Sequence, residues 1–206
     1  MKIICIGRNY IDHAKELNNP VPKKPLVFMK PPSALLVNNK PLYYPEFTED
    51  LHYEGEIVLK ICKNGRYVQP EFAHKYFQEI GFGIDFTARD IQRQCKEKGH
   101  PWEIAKGFDG SAAMSSFMAI DQVDPTAIEF QMLLNGEVVQ HGNTKDLIFS
   151  FTDIIVYVSK FFRLQFGDLI FTGTPAGVGP VKIGDKLEGK IFTKEGAKEM
   201  IRCDIR

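Results

Sequence analysis

Residues 52–59 read His52-Tyr53-Glu54-Gly55-Glu56-Ile57-Val58-Leu59. Side chains two positions apart on a strand point to the same face, so this stretch predicts that Glu54 and Glu56 lie side by side. Gly55 adds no side chain and lets the backbone pass close to a ligand. The apolar run after Glu56 indicates a strand that enters the core. Taken alone, such a Glu-x-Glu pair is more often a solvated feature of an edge strand.

Strands are also predicted elsewhere, because β-branched and aromatic residues dominate several short runs. Asn135-Gly136 favours a tight hairpin turn, since both turn positions must take positive φ. A second, longer hairpin loop is predicted at residues 193–196. The predicted strands are residues 3–6, 26–29, 56–62, 81–84, 129–134, 169–172 and 186–192.

Helices are fewer in this sequence. Apolar residues recur at spacings of three and four between residues 147 and 162, which predicts an amphipathic helix. Further helices are predicted at residues 87–98, closed by Gly99, at 70–80, and at 10–17 with Asn9 as the cap. The seven prolines from Pro20 to Pro45 predict loops and short edge strands in that region.

The order of these segments indicates the fold class. Strands outnumber helices and do not alternate with them regularly, which argues against a doubly wound fold. We therefore predict a mostly β (α+β) protein, built as a mixed β-roll or barrel with a few helices. A chain of 206 residues suits a single domain, residues 1–206.

Composition excludes several classes of partner. Lys plus Arg total 26 and Asp plus Glu total 26, so the chain has no net basic field to attract nucleic acid or an anionic membrane. No apolar run approaches the roughly 18–20 residues that span a bilayer, and no signal peptide is recognisable, so we expect a cytoplasmic protein. The four cysteines have no paired spacing, and we expect free thiols at positions 5, 62, 95 and 203.

A third carboxylate strengthens the case for a ligand site at the glutamates. The segment Gly81-Phe82-Gly83-Ile84-Asp85-Phe86-Thr87 reads as a glycine-thinned strand that ends at Asp85. An aspartate between Ile84 and Phe86 is costly to bury unless it is paired or ligated. The alternative is that Asp85 caps the helix that follows. Three carboxylates without a His or Cys cluster favour Mg²⁺, Mn²⁺ or Ca²⁺ over zinc.

Two further groups could carry proton or charge chemistry. His13 and Glu16 are three apart on a predicted helix and share a face, an arrangement in which the carboxylate orients a general base. Lys106 lies in an apolar, glycine-containing segment, where a lysine can bind a carboxylate or neutralise an enolate. In both cases an ordinary surface residue is the simpler alternative.

A glycine-rich loop follows the strand predicted at residues 169–172. The loop reads Gly173-Thr174-Pro175-Ala176-Gly177-Val178-Gly179 and lacks both the Gly-Lys-Ser/Thr of a P-loop and the register of a dinucleotide fingerprint. It could offer backbone N–H groups and the Thr174 hydroxyl to a small carboxylate. The alternative is a plain turn between strands.

The order of these motifs resembles the fumarylacetoacetate hydrolase family, and the likeness extends from Ile6 to about Ile191. The motifs that carry it are Gly7-Arg8-Asn9-Tyr10 with Asp12-His13, Lys30-Pro31, Tyr53-Glu54-Gly55-Glu56, Asp85-Phe86-Thr87-Ala88-Arg89-Asp90, Lys106-Gly107-Phe108-Asp109 and Thr172-Gly173-Thr174-Pro175-Ala176-Gly177-Val178-Gly179. The resemblance implies a β-roll catalytic domain of the short, single-domain branch, commonly a homodimer.

The resemblance also implies roles for individual residues. Mg²⁺ or Mn²⁺ is expected on Glu54, Glu56 and Asp85, and the general-base pair is expected to be His13 and Glu16. The catalytic cation is expected to be Lys106. Contacts to the substrate are expected from Arg8, Lys30, Arg89, Gln92 and Thr174.

Several activities remain open within this family. We expect a small 2-oxo acid substrate and an enolate at C3 that the cation and Lys106 stabilise. The leading hypothesis is cleavage of a C–C bond in 3-acylpyruvates or decarboxylation of oxaloacetate. The alternative is an isomerase of 2-hydroxymuconate-type diacids in aromatic catabolism. A third hypothesis is a non-catalytic protein that binds carboxylates or metal, against which the retained base pair argues.

Overall fold

The computed structural model describes residues 1–16 and 20–206, most of which form strands and their connections. Four α-helices are present in these ranges: α1 (Ile11–Glu16), α2 (Arg89–Lys98), α3 (Glu103–Lys106) and α4 (Phe151–Phe161). The strands are β1 (Ile3–Gly7), β2 (Leu26–Lys30), β3 (Leu35–Val37), β4 (Leu51–Tyr53), β5 (Gly55–Ile61), β6 (Phe77–Asp85), β7 (Thr87–Ala88), β8 (Ala112–Met114), β9 (Met118–Ala119), β10 (Glu129–Leu134), β11 (Glu137–Asn143), β12 (Leu169–Phe171), β13 (Gly179–Pro180), β14 (Lys186–Thr193) and β15 (Gly196–Asp204).

The largest sheet has eight strands and is curled. Seven of them follow the order β2-β1-β12-β5-β6-β8-β3, and β9 pairs with β6. The pairs β1–β12 and β3–β8 are parallel and the other pairs are antiparallel, so the sheet is mixed. This mostly-strand architecture with few helices confirms the predicted fold class.

A second sheet of four antiparallel strands, in the order β11-β10-β14-β15, packs against the first. Its first hairpin turns at Asn135 and Gly136 with φ of 53° and 87°, as predicted. The second hairpin turns between Thr193 and Gly196, also as predicted. The core lies between the sheets, where the rings of Phe82 and Phe130 meet edge to face with centroids 5.8 Å apart.

A small third sheet brings three distant segments together at one edge of the curled sheet. Its order is β13-β4-β7, with Tyr53 opposite Gly179 and Leu51 opposite Ala88. The strand before Glu54 is therefore fixed between the end of the glycine-rich loop and the start of α2. This pairing positions the candidate site.

Two of the predicted helices begin later than expected. Helix α4 begins at Phe151, where Ser150 and Asp153 form a capping box, because the preceding turn is tied by a bridge between Tyr10 and Leu147. Helix α2 begins at Arg89, since the two residues before it pair with β4. The proposed caps were also wrong. The side chain of Asp85 does not cap α2, and the amide of Asn9 bonds residues 149 and 172 instead.

The helix predicted at residues 70–80 is confirmed only in its first part, as a 3-10 helix. Pro70–Tyr76 forms a 3-10 helix, and β6 begins at Phe77 because its residues pair with β5 along the centre of the large sheet. The tertiary pairing therefore overrides the local helical pattern. Of the helix predicted at 10–17, Ile11–Glu16 is helical and residue 17 lies outside the described residues.

All four cysteines, at positions 5, 62, 95 and 203, are free thiols, as expected. Among the residues described, no helix is both long and apolar enough to cross a membrane.

Candidate metal centre and active site

The three predicted carboxylates meet at one point of the large sheet. Glu54 lies between β4 and β5, Glu56 lies on β5, and Asp85 ends β6. The antiparallel register places Glu56 opposite Gly83 and so brings Asp85 alongside the glutamates. One ligand oxygen from each carboxylate lies within 4.8 Å of the others, and all three residues are buried.

Glu54 is held between two cations. Its Oε1 accepts a hydrogen bond from Arg89 Nη2 at 2.5 Å, and its Oε2 accepts one from Lys106 Nζ at 2.9 Å. Burial alone would raise the pKa of Glu54, but the charges of Lys106 and Arg89 outweigh it and hold that pKa well below its ordinary value. Glu54 is therefore ionised at neutral pH.

Lys106 uses all three of its N–H donors. Its Nζ donates to Glu54 Oε2, to Asp85 Oδ2 at 2.8 Å and to Thr87 Oγ1 at 2.6 Å. Burial would lower the pKa of Lys106, but the carboxylates of Asp85 and Glu54 raise it above its ordinary value. Lys106 is thus a permanent positive charge that links two of the three carboxylates.

Lys30 lies behind Asp85 and leaves one aspartate oxygen without a donor. The Nζ of Lys30 donates to the backbone carbonyls of Phe86, Lys106 and Ser111, which accounts for its three N–H groups. Asp85 Oδ1 lies 2.7 Å from this ammonium as an ion pair, yet it receives no hydrogen bond. A buried anionic oxygen without a donor is what a metal ion would complete.

In the described part of the chain, no cation is in hydrogen-bond contact with Glu56. Among the described residues it accepts one hydrogen bond, from Gly173 N at 2.7 Å. Burial, followed by the carboxylates of Asp85 and Glu54, raises the pKa of Glu56 well above its ordinary value. Three oxygen donors, one of them orphaned and one uncompensated, fit a hard divalent cation.

The predicted base pair forms at the beginning of the chain. His13 is buried on α1, and its Nδ1 lies 3.3 Å from Glu16 Oε2. The other oxygen of Glu16 accepts a hydrogen bond from Gly177 N at 3.0 Å, which joins α1 to the glycine-rich loop. Burial lowers the pKa of His13 below 6.5, although Glu54 and the hydrogen bond to Glu16 partly oppose this. With Nδ1–H directed at Glu16, Nε2 carries the lone pair.

One cavity collects most of the predicted residues. His13 lines it together with the three carboxylates. Glu16 and Lys30 are not among the residues that line it, because Glu16 supports His13 from behind and Lys30 supports Asp85. The lining residues are Ile6, Gly7, Arg8, His13, Phe28, Glu54, Glu56, Asp85, Arg89, Gln92, Lys96, Trp102, Lys106 and Thr174.

Three residues of this region were not predicted from the sequence. Lys96 and Trp102 line the cavity, and the spacing of Lys96 from Arg89 and Gln92 on α2 was the available signal. Gln140, fully buried on β11, bonds the backbone of Gly55 and the loop at Thr174. No pattern in the alternating residues of β11 distinguishes it.

The sequence of this chain is similar to those of known proteins. The family profile described as "Fumarylacetoacetate (FAA) hydrolase C-terminal" matches residues 2–203. The chain is 42% identical over 190 residues to the protein named "Oxaloacetate tautomerase FAHD1, mitochondrial" of Mus musculus, an alignment that covers 92% of this chain and 86% of the relative.

Two solved structures share the fold. One is fumarylpyruvate hydrolase from Pseudomonas aeruginosa in complex with Mn²⁺ and pyruvate, with a TM-score of 0.91 and 36% identity, covering 100% of this chain and 90% of that one. The other is 5-carboxymethyl-2-hydroxymuconate delta-isomerase from Mycobacterium smegmatis, with a TM-score of 0.86 and 29% identity, covering 99% and 78%.

Proposed function

Because this chain belongs to the fumarylacetoacetate hydrolase family, we propose that it is a divalent-metal enzyme that interconverts the enol and keto forms of oxaloacetate or a closely similar 2-oxo acid. The mouse relative named oxaloacetate tautomerase supports this substrate. The C–C cleavage predicted first from the sequence thereby becomes the second candidate.

The observation that carries the proposal is the position of His13. A buried imidazole with a lowered pKa lines the same cavity as three carboxylates, and Glu16 orients it. A neutral base beside a cation-binding centre suits removal of a proton from the carbon next to a carbonyl group. A protein that only binds carboxylates would have no use for such a base.

The cofactor proposed is Mg²⁺ or Mn²⁺. Glu54, Glu56 and Asp85 would hold the cation, and the Mn²⁺ in the structure of the hydrolase from Pseudomonas aeruginosa supports this choice. A divalent cation bound there supplies Lewis-acid stabilisation of a developing enolate oxygen. Lys106 keeps Glu54 ionised and fixes both Glu54 and Asp85 by hydrogen bonds.

The proton transfer can be followed on the residues of this chain. In the keto-to-enol direction, Nε2 of His13 accepts the proton from C3, the C–H electron pair forms the C2–C3 double bond, and the π pair of the C2 carbonyl moves to its oxygen. Glu16 stabilises the imidazolium through Nδ1–H. The imidazolium then returns the proton to the oxygen at C2. The step conserves atoms and charge, and the enol-to-keto direction is its reverse.

The second candidate is hydrolysis of an acylpyruvate, for which the same pair offers a specific reason. His13 oriented by Glu16 can take a proton from water as readily as from carbon, and the water then attacks the acyl carbonyl. The neighbouring hydrolase and isomerase structures show that relatives of this fold carry either kind of name. Decarboxylation of oxaloacetate needs the stabilised enolate but no activated water.

The proposal is tested by following the ultraviolet absorbance of enol-oxaloacetate with Mn²⁺-loaded protein. Wild type should accelerate loss of the enol, and His13→Ala should reduce kcat by roughly 10²–10⁴-fold. His74→Ala is the matched control, because His74 is exposed and lies outside the cavity. Pyruvate release from acetylpyruvate, measured in parallel, compares the hydrolase activity with the tautomerase activity. Unchanged enol decay with wild-type protein would reject the tautomerase proposal.

A further inference from the structure

One face of helix α2 extends from the carboxylate centre to the mouth of the cavity. Arg89, Gln92 and Lys96 recur at spacings of three and four, and all three line the cavity. Arg89 binds Glu54 at the inner end. Seven residues of helix rise about 10 Å, so the backbone of Lys96 lies that far along the axis from Arg89.

At the outer end of this face, two cations line the cavity: Lys96 on α2 and Arg8 after β1. Among the described residues, neither Lys96 nor Arg8 forms an ion pair with a carboxylate. Lys96 Nζ lies 5.7 Å from the ring centroid of Trp102, so its stem rests on an aromatic wall of the cavity. Arg8 also lines the cavity, on a backbone with φ of 57° that a non-glycine residue rarely adopts.

The charges at this end repel one another. Lys96 is exposed on α2, but partial burial of its ammonium, followed by the guanidinium groups of Arg8 and Arg89, lowers its pKa to about 8. Burial also lowers the pKa of Arg8. Arg89 is already neutralised by Glu54, which leaves Arg8 and Lys96 as excess positive charge facing the cavity. An anion placed between them would relieve this repulsion.

Gln92 adds a neutral donor between the two ends. Its Oε1 accepts a hydrogen bond from Arg89 Nη1 at 2.9 Å, which directs the amide NH₂ group away from Arg89. Gln92 is buried and lines the cavity, so its NH₂ group can face a ligand that lies along α2. The wall therefore presents donors throughout its length.

We propose that Lys96 and Arg8 bind a second carboxylate at the far end of the substrate, so that the site selects 2-oxo diacids over 2-oxo monoacids. This inference rests on the proposed function, since it assumes that the 2-oxo acid end of the substrate lies at the three carboxylates. A substrate that ends in a methyl ketone would leave both cations unpaired. A substrate that ends in a carboxylate pairs them, and Lys96 thereby becomes a determinant of specificity.

The test compares oxaloacetate, which ends in a carboxylate, with acetylpyruvate, which ends in a methyl ketone. For Lys96→Gln, KM for oxaloacetate should rise about tenfold, because a hydrogen bond between charged groups is lost. KM for acetylpyruvate and the inhibition constant of oxalate should stay within about twofold, since acetylpyruvate has no charge at its far end and oxalate has only two carbons. Lys96→Arg retains the charge and should restore KM for oxaloacetate.

Lys98→Gln is the matched control, because Lys98 is exposed on the same helix like Lys96 but does not line the cavity. This substitution should change KM for neither substrate. Equal losses on both substrates in Lys96→Gln, or no loss on oxaloacetate, would overturn the inference while leaving the proposed function intact. If wild-type protein turns over neither 2-oxo acid, the proposed function itself fails. Oxalate binding to wild type and Lys96→Gln separates these outcomes, because it requires no turnover.

Discussion

The side-chain amide of Gln140 donates a hydrogen bond to the hydroxyl of Thr174 at 2.8 Å and thereby determines where that hydroxyl sends its own proton. The orientation of the amide is unambiguous, since its oxygen faces Gly55 N–H at 2.9 Å and its nitrogen faces the carbonyl of Pro175 at 3.0 Å. Thr174 Oγ1 is therefore an acceptor from Gln140 and donates to Gly55 O at 2.9 Å. The hydroxyl holds the glutamate strand, which leaves the backbone N–H of Thr174 as its donor toward a ligand.

We expect Gln140→Glu to destabilise the protein although the shape of the side chain is kept. A carboxylate there would face the carbonyl of Pro175 without a donor and would be buried without a cation. The free energy of unfolding should fall by about 2–3 kcal/mol, measured by chemical denaturation. Gln131→Glu is the control, because Gln131 lies half-buried on the neighbouring strand β10 and should tolerate the charge. Equal stability of the two variants would show that the amide network contributes little.

Metal binding should be visible in stability as well as in turnover. At a Mn²⁺ concentration 100 times Kd, the free energy of unfolding should rise by about 2.7 kcal/mol, since the ion binds only the folded state. Glu56→Gln should lose this gain because it removes a ligand oxygen. Thermal unfolding with and without Mn²⁺ measures the effect, and EDTA should abolish both the gain and turnover. Glu195→Gln, an exposed turn substitution, should retain them. Full turnover after exhaustive chelation would exclude the metal assignment.

Sequence patterns predicted seven of the strands and the central carboxylates because both depend on local rules. The Asn135-Gly136 turn requires positive φ at both positions, and the structure has it. Glu54 and Glu56 flank a glycine that cannot carry a side chain, because a Cβ on Gly55 would lie 3.0–3.1 Å from Met132, Gln140 and Phe82. Close packing of the two sheets is thus already encoded at that position.

Other features depend on contacts between distant segments, which no local pattern contains. The helical spacing at residues 70–80 is real, yet pairing with β5 extends the last part as a strand. Gln140 acts across 85 residues of sequence on Gly55, so its role became visible only in the folded chain. Lys96 lies on a polar helix, where one more charge gives no local sign of a role. Only the fold brings Arg8, which is distant in the sequence, into the same cavity.

The protein should be a homodimer in solution. This prediction rests on the resemblance of the sequence to a family whose members are commonly homodimers. Light scattering at micromolar concentration should give twice the chain mass of 23.4 kDa. A monomeric mass under these conditions would contradict the prediction.

The pH dependence of turnover should identify His13 as the base. Only the neutral imidazole can accept a proton, so kcat/KM should fall as pH decreases through the pKa of His13. Because burial lowers that pKa, this acid limb should lie below pH 6.5 in the metal-saturated protein. Glu16 raises the pKa of His13 through its hydrogen bond and charge. Glu16→Gln should therefore shift the limb to still lower pH, and it should also reduce kcat because the imidazolium loses its partner.

The direction of that shift separates the two roles that Glu16 could play. If Glu16 only held α1 against Gly177 N, its substitution by glutamine would lower kcat without moving the acid limb. Asp12→Asn on the same helix is the control, since Asp12 is exposed and lies outside the main cavity. Profiles of kcat/KM between pH 4.5 and 9, recorded for wild type and both variants with saturating Mn²⁺, distinguish the cases. The same profile is needed for His13→Gln, in which residue 13 cannot titrate. If the acid limb stays in place in that variant, another group is the base.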